Sequence, residues 1–184
     1  MIFSESFGLG HHRAAHAIAK AIKQQEPSAR IITGRTLNLL NPVLEAAASK
    51  LYMDTLHRRP ELWRLVYQWK SGAVHGYLVA RLLGFTLAKK VGSFINTVNP
   101  QVVVCTHAFS YCAMASLKVA SMRVPIVSVI TDYDANSCWY ADCYLVPSKK
   151  VADQMTQQGI EPNRIHVTGI PIDPAFARGE IKEQ

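Results

Sequence analysis

No stretch of this 184-residue chain holds the ~18 uninterrupted apolar residues that a membrane-spanning helix needs. Cysteine is sparse. Cys105, Cys112, Cys138 and Cys143 form no Cys-x-x-Cys pair, and Cys138 with Cys143 has no matching second pair. That argues against a structural zinc site and for reduced thiols, the cytosolic pattern. The opening MIFSESFG has neither a basic flank nor a long apolar run, so no secretory signal is expected. Internal repeats and low-complexity tracts are missing as well. Acidic residues are outnumbered, 13 Asp and Glu against 20 Lys and Arg, which leaves a net charge of +7. Such a surplus favours anionic partners: acidic lipid, phosphorylated ligands or nucleic acid. The last has no recognition motif to support it, and no nucleic-acid partner is expected.

What is present reads as one globular domain, with 49% apolar and 18% charged residues. MIFSE is a short strand. Ala15, Ile18, Ala19 and Ile22 recur at helical spacing until Pro27, and Arg30–Thr33 reads as a second strand. Residues 43–98 suggest three helical segments, Val43–Arg59, Pro60–Lys70 and Ala73–Val98. The alternation then returns. Val102–Cys105, Pro125–Thr131, Cys143–Ser148 and Arg164–Pro171 read as strands, with helices at Ser110–Met122 and Lys149–Gln158. Ser148 suits the N-cap of the latter helix and Gly159 its end. Short apolar strands alternating with helices predict an α/β fold: a Rossmann-like parallel sheet with helices on both faces.

Ligands of such sheets bind beyond the carboxyl ends of the strands, so the loops there hold the candidates. The first is Gly8-Leu9-Gly10-His11-His12-Arg13. It lacks the third glycine of a dinucleotide fingerprint and the Gly-Lys-Ser/Thr of a Walker A loop. His12 and His16, four apart, have no nearby third ligand and do not make a metal site; none is expected. A histidine at a helix start suits a general base, since the positive end of the dipole favours the neutral ring. A plain glycine-rich turn explains the same residues. His107 lies in the loop after Val102–Cys105. Asp132 and Asp134 in TDYDANSCW could hold a hydroxyl or do acid–base work, or simply shape a turn. Asn136 and Trp139 share that loop. Arg58, Arg59, Trp63, Arg64, Tyr67 and Trp69 interleave basic and aromatic residues. That suits an anionic membrane surface, and equally a solvated face over a core.

In order, SFGLGHHRAAHAIAKAI, YMDTLHRRPELWRLVY, NPQVVVCTHAF, VPIVSVITDYDANSCWYADCYLVPS and GIEPNRIHVTGIPIDPAF resemble one family throughout. It is the diacylglycerol glycosyltransferases, the monogalactosyl- and processive glucosyl-diacylglycerol synthases of glycosyltransferase family 28. These are similar to the enzyme that adds N-acetylglucosamine in peptidoglycan lipid synthesis. The resemblance covers residues 2–177 and implies the N-terminal half of a GT-B enzyme. Residues 1–177 would bind the lipid acceptor, and 178–184 would begin a linker. A C-terminal domain absent from this chain would hold most of the UDP-sugar, leaving this chain alone inactive. The implied reaction is inverting transfer of a hexose to diacylglycerol or a similar membrane lipid, with no cofactor beyond the donor and no metal. The expected location is cytoplasmic, peripheral on the inner face of the membrane. By position, His11 matches the family's Gly-x-Gly-His histidine, a proposed base or acceptor-site residue, and Gly8 and Gly10 its glycines. Asp132 matches the acid of its Thr-Asp motif, and is expected to be catalytic with His11, which would take the acceptor proton directly or through it; Trp139 matches the tryptophan that follows. His12, His107, Asp134 and Asn136 join them as expected substrate-binding positions. Many relatives carry histidine where this chain has Asn136, which bonds hydroxyls but takes no proton. A non-catalytic lipid-binding module is the alternative.

Overall fold

A computed structural model describes residues 1–6, 9–58, 61, 89–119, 122–133, 135 and 141–177. Among the described residues, six short strands make one all-parallel sheet: β1 (Ile2–Ser4), β2 (Thr33–Arg35), β3 (Val103–Cys105), β4 (Ile126–Val129), β5 (Cys143–Val146) and β6 (Ile165–Val167). Their order is β2-β1-β3-β4-β5-β6. The chain steps from β1 outward to β2, then crosses back to β3 and proceeds stepwise to β6. Because parallel crossovers are right-handed, helices on the two sides of this reversal cover opposite faces.

The side chains bear this out through strand alternation. Ile2, Val104 and Val129 pack with Ala15 and Ile18 of α1 (Gly10–Gln25) on one face. Phe3, Val103, Cys105, Ile126 and Tyr144 point to the other. There they meet Val91 and Ile95 from a helical stretch at residues 89–98. Met114 of α4 (Ala108–Val119) and Val151 and Met155 of α5 (Lys149–Gln157) complete that layer. Phe3 sits opposite Gly34 of β2, where an added Cβ would lie 2.9 Å from the ring, so glycine there lets β1 and β2 pair. The helix ends follow local chemistry. Ser148 Oγ accepts the Val151 N–H at 3.4 Å, and Gly159 closes α5 at a φ of +93° that favours glycine.

Two local expectations shift. β2 forms at Thr33–Arg35 rather than Arg30–Thr33. The apolar pair Ile31 and Ile32 packs into the two core layers just before the ladder, whose register is set by Ile2 opposite Thr33. A short helix α2 (Thr36–Leu40) then precedes α3 (Pro42–Arg58). Nothing in TLNLL signals it, because its first N–H groups are held by Glu5, far away in sequence. After β6 the chain returns to the α1 face. A short helical turn, α6 (Pro174–Ala177), follows Asp173, whose carboxylate takes Lys20 Nζ of α1 at 2.5 Å. The expected segment Pro60–Lys70, apart from Glu61, and residues 73–88 lie outside the described residues.

Candidate active site at the sheet reversal

Where strand order reverses, the loops after β1 and β3 leave for opposite faces and open a crevice. From β1 the chain runs through Glu5 and Ser6 to α1, whose second residue is His11. From β3 it runs through Thr106 and His107 into α4, and from β4 through Thr131 and Asp132. The three meet at one atom. His11 Nδ1 lies 2.8 Å from the Thr106 carbonyl oxygen and 2.7 Å from Thr131 Oγ1. A carbonyl only accepts, so Nδ1 carries the proton and Nε2 keeps the lone pair. Thr106 also grips the main chain on both sides. Its N–H donates to Phe3 O at 3.0 Å, and its hydroxyl lies 3.1 Å from His11 O.

His107 takes the opposite tautomer. Its Nδ1 accepts the Phe109 N–H from the first turn of α4 at 3.1 Å, which puts the proton of the neutral ring on Nε2. The two imidazoles meet edge to face, with centroids 4.5 Å apart and planes at 84°. Asp132 is half-buried. Burial, and then the Asp132 charge, push the hydroxyl pKa of both Tyr52 on α3 and Tyr111 on α4 upward, so both hydroxyls lie within the field of this carboxylate.

Two further carboxylates hold the loop that carries His11. Glu5 is buried, and burial raises its pKa against the lowering effect of its hydrogen bonds. One oxygen accepts the Thr36 N–H at 3.0 Å and the Ser110 hydroxyl at 2.9 Å; the other lies 3.5 Å from the Leu37 nitrogen. Glu45, buried on α3, accepts from Ser6 Oγ at 2.8 Å and Asn38 Nδ2 at 2.7 Å and pairs with Arg35 at 3.1 Å. The start of the loop is thereby tied to α2, α3 and α4. Leu9 before His11 and Tyr133 after Thr131, on two of these loops, are 70% and 71% exposed.

Of the sequence candidates, His11, His107 and Asp132 come to these converging loops. Gly10 opens α1, and an added Cβ would meet nothing within 4 Å. His12 and His16 lie exposed on α1, and Arg58 is exposed in the last turn of α3. Gly8, Asp134, Asn136, Trp139, Arg59, Trp63, Arg64, Tyr67 and Trp69 lie outside the described residues. Among the described residues no three of His, Cys, Asp or Glu converge as a metal would require, and no helix is long and apolar enough to cross a membrane. Sequence reasoning passed over Glu5, Thr106 and Thr131. Glu5 and Thr106 were marked only by position, each directly after a strand, and Thr131 by position and by its place in the Thr-Asp motif.

The fold defines a Rossmann-like domain, with a candidate ligand site at the reversal of strand order. More particularly, the chain belongs to the monogalactosyldiacylglycerol synthase family, since residues 11–172 match the family described as Monogalactosyldiacylglycerol (MGDG) synthase. It is 31% identical to "Probable monogalactosyldiacylglycerol synthase 2, chloroplastic" of Oryza sativa subsp. indica, over 98% of this chain and 40% of that protein. It is 26% identical to "Processive diacylglycerol beta-glucosyltransferase" of Bacillus cytotoxicus, over 96% of this chain and 45% of the relative. "Uncharacterized glycosyltransferase YkoN" of Bacillus subtilis is 25% identical over 93% of this chain and 46% of its own length. The chain thus spans less than half the length of these relatives.

Proposed function

We propose that this chain is the acceptor-side domain of an enzyme that transfers a hexose from a UDP-sugar to diacylglycerol or a similar membrane lipid, with inversion. The observation that carries the reading is His11 itself. It stands at the sheet reversal with Nδ1 engaged inward and the lone pair on Nε2. The names of the relatives supply the substrate class: one is a monogalactosyldiacylglycerol synthase, another a diacylglycerol glucosyltransferase.

In this mechanism the acceptor hydroxyl gives its proton to His11 Nε2. The freed oxygen attacks the anomeric carbon opposite the leaving UDP, which departs with the bonding pair and leaves a β-glycoside. The imidazolium that forms keeps its Nδ1–H on the Thr106 carbonyl. Since Nδ1 is already engaged there, direct transfer to Nε2 is favoured over a relay through Asp132, which is left to orient the acceptor or balance the new charge. Base catalysis of this kind contributes roughly 10²–10⁴-fold. Leu9 and Tyr133 offer apolar surface for the neck of a lipid, and the net charge of +7 suits an anionic membrane. Residues 1–177 would form the acceptor domain and 178–184 the start of a linker to a nucleotide-sugar domain, the whole acting peripherally on the cytoplasmic face. The domain alone would not turn over.

The test is transfer by the full-length protein from UDP-glucose or UDP-galactose to diacylglycerol in vesicles. His11→Ala should abolish transfer while UDP-sugar binding persists. Unchanged transfer overturns the assignment of the base, and vesicle binding without transfer by the wild type favours a non-catalytic lipid-binding module.

A further inference from the structure

We propose that Thr131 is a positioning residue for His11: its hydroxyl and the Thr106 carbonyl together hold the ring so that Nδ1–H points inward and Nε2 faces the acceptor. The inference rests on the reading of His11 as the base. Thr131 Oγ1 is 2.7 Å from Nδ1 and Thr106 O is 2.8 Å from it, the two oxygens arriving from the ends of β4 and β3. The direction of the bonds follows by elimination. If the Thr131 hydroxyl donated to Nδ1, that nitrogen would hold a lone pair facing a carbonyl lone pair at 2.8 Å. Nδ1–H therefore donates, shared between both oxygens, and the Thr131 hydroxyl proton is directed elsewhere.

The arrangement does two things that one acceptor would not. The carbonyl alone selects the tautomer, but a ring held at one point still swings about its Cβ–Cγ bond. A second acceptor on a different strand fixes the direction of the ring, and a 180° flip would forfeit both bonds by placing Cδ2 against two oxygens. In a Ser-His-Asp triad the orienting group on Nδ1–H is a carboxylate. Here both oxygens are neutral, so at Nδ1 the growing imidazolium is met by dipoles. Removing the hydroxyl leaves no buried charge unpaired, and the fold should survive it.

The experiment uses the full-length protein with Thr131→Val, which has nearly the same shape, and Thr131→Ser, which keeps the hydroxyl. Loss of one hydrogen bond to a group that becomes charged should lower kcat about tenfold. KM for lipid and for UDP-sugar should stay close to wild type, and Thr131→Ser should recover most of the rate. In ¹⁵N-histidine-labelled protein, the His11 Nδ1–H resonance, assigned by its loss in His11→Asn, should exchange slowly in wild type and Thr131→Ser and quickly in Thr131→Val. Wild-type kcat in Thr131→Val, equal losses in the Val and Ser variants, or an unaltered Nδ1–H exchange rate would each overturn the proposal. If the wild type transfers no hexose to any lipid, the proposed function fails by itself, and the Nδ1–H exchange still decides the clamp.

Discussion

Glu5→Ala and Glu5→Gln should part company, and the size of the gap follows from how the carboxylate is used. The alanine variant strands two buried donors, the Thr36 N–H at 3.0 Å and the Ser110 hydroxyl at 2.9 Å. Each stranded donor costs about 1–3 kcal/mol. The Leu37 contact at 3.5 Å is at the limit of a hydrogen bond and adds little. The loss is then about 2–6 kcal/mol, a fall in Tm of roughly 4–24 °C for a chain of this size. Glutamine keeps both strong bonds, because both fall on the same carboxylate oxygen, and gives up only the weak one. It also removes the charge. Burial raises the folded pKa of Glu5 above its ordinary value near 4.5, so the proton contributes stability below that value which is lost as pH rises through the folded pKa. Glu5→Gln has no such slope. Its stability relative to wild type should therefore improve as pH climbs, and match or exceed wild type near neutrality. Urea unfolding followed by circular dichroism at about pH 4.5 and about pH 7.5 measures this directly. If Glu5→Gln loses as much as Glu5→Ala at both pH values, attraction between the ionised carboxylate and the start of α2 outweighs burial, and the reasoning is wrong.

Gly10→Ala should leave Tm unchanged or raise it slightly, since the new Cβ meets nothing within 4 Å and alanine favours a helix by up to ~1 kcal/mol. In the full-length enzyme the same change should raise KM for the lipid; an unchanged KM would mean that the acceptor does not use the open space before α1. Ser128→Ala should stabilise the chain by about 1 kcal/mol in urea unfolding, because the buried Ser128 hydroxyl has no partner among the described residues. A lower midpoint would show that this hydroxyl is bonded after all.

His11 was legible because two local signals coincide there, a Gly-x-Gly run and the start of an apolar helical repeat. The Ser148 cap and the Gly159 stop were legible for the same reason, since each acts within a few residues of its partner. Thr106 and Thr131 were not, because their contacts with the His11 ring span 95 and 120 positions and exist only once β1, β3 and β4 lie side by side. Glu5 is a stronger case. Nothing local in MIFSE marks this carboxylate, yet it is buried and holds Ser110, 105 residues on. The same long-range bonds nucleate α2, so a helix of five residues was missed along with the carboxylate that starts it. β2 was misplaced because apolar character marked the residues that fill the core rather than those that join the ladder.

The ion pair between Lys20 and Asp173 gives α1 a second attachment. His11 and Lys20 ride on one helix about 14 Å apart along its axis, at 1.5 Å per residue. One end of this rod carries the ring in the crevice; further along it is fastened to the segment that leaves β6. Both partners are solvent-accessible, so the pair sets where the segment after β6 lies along α1 more than it stabilises the fold.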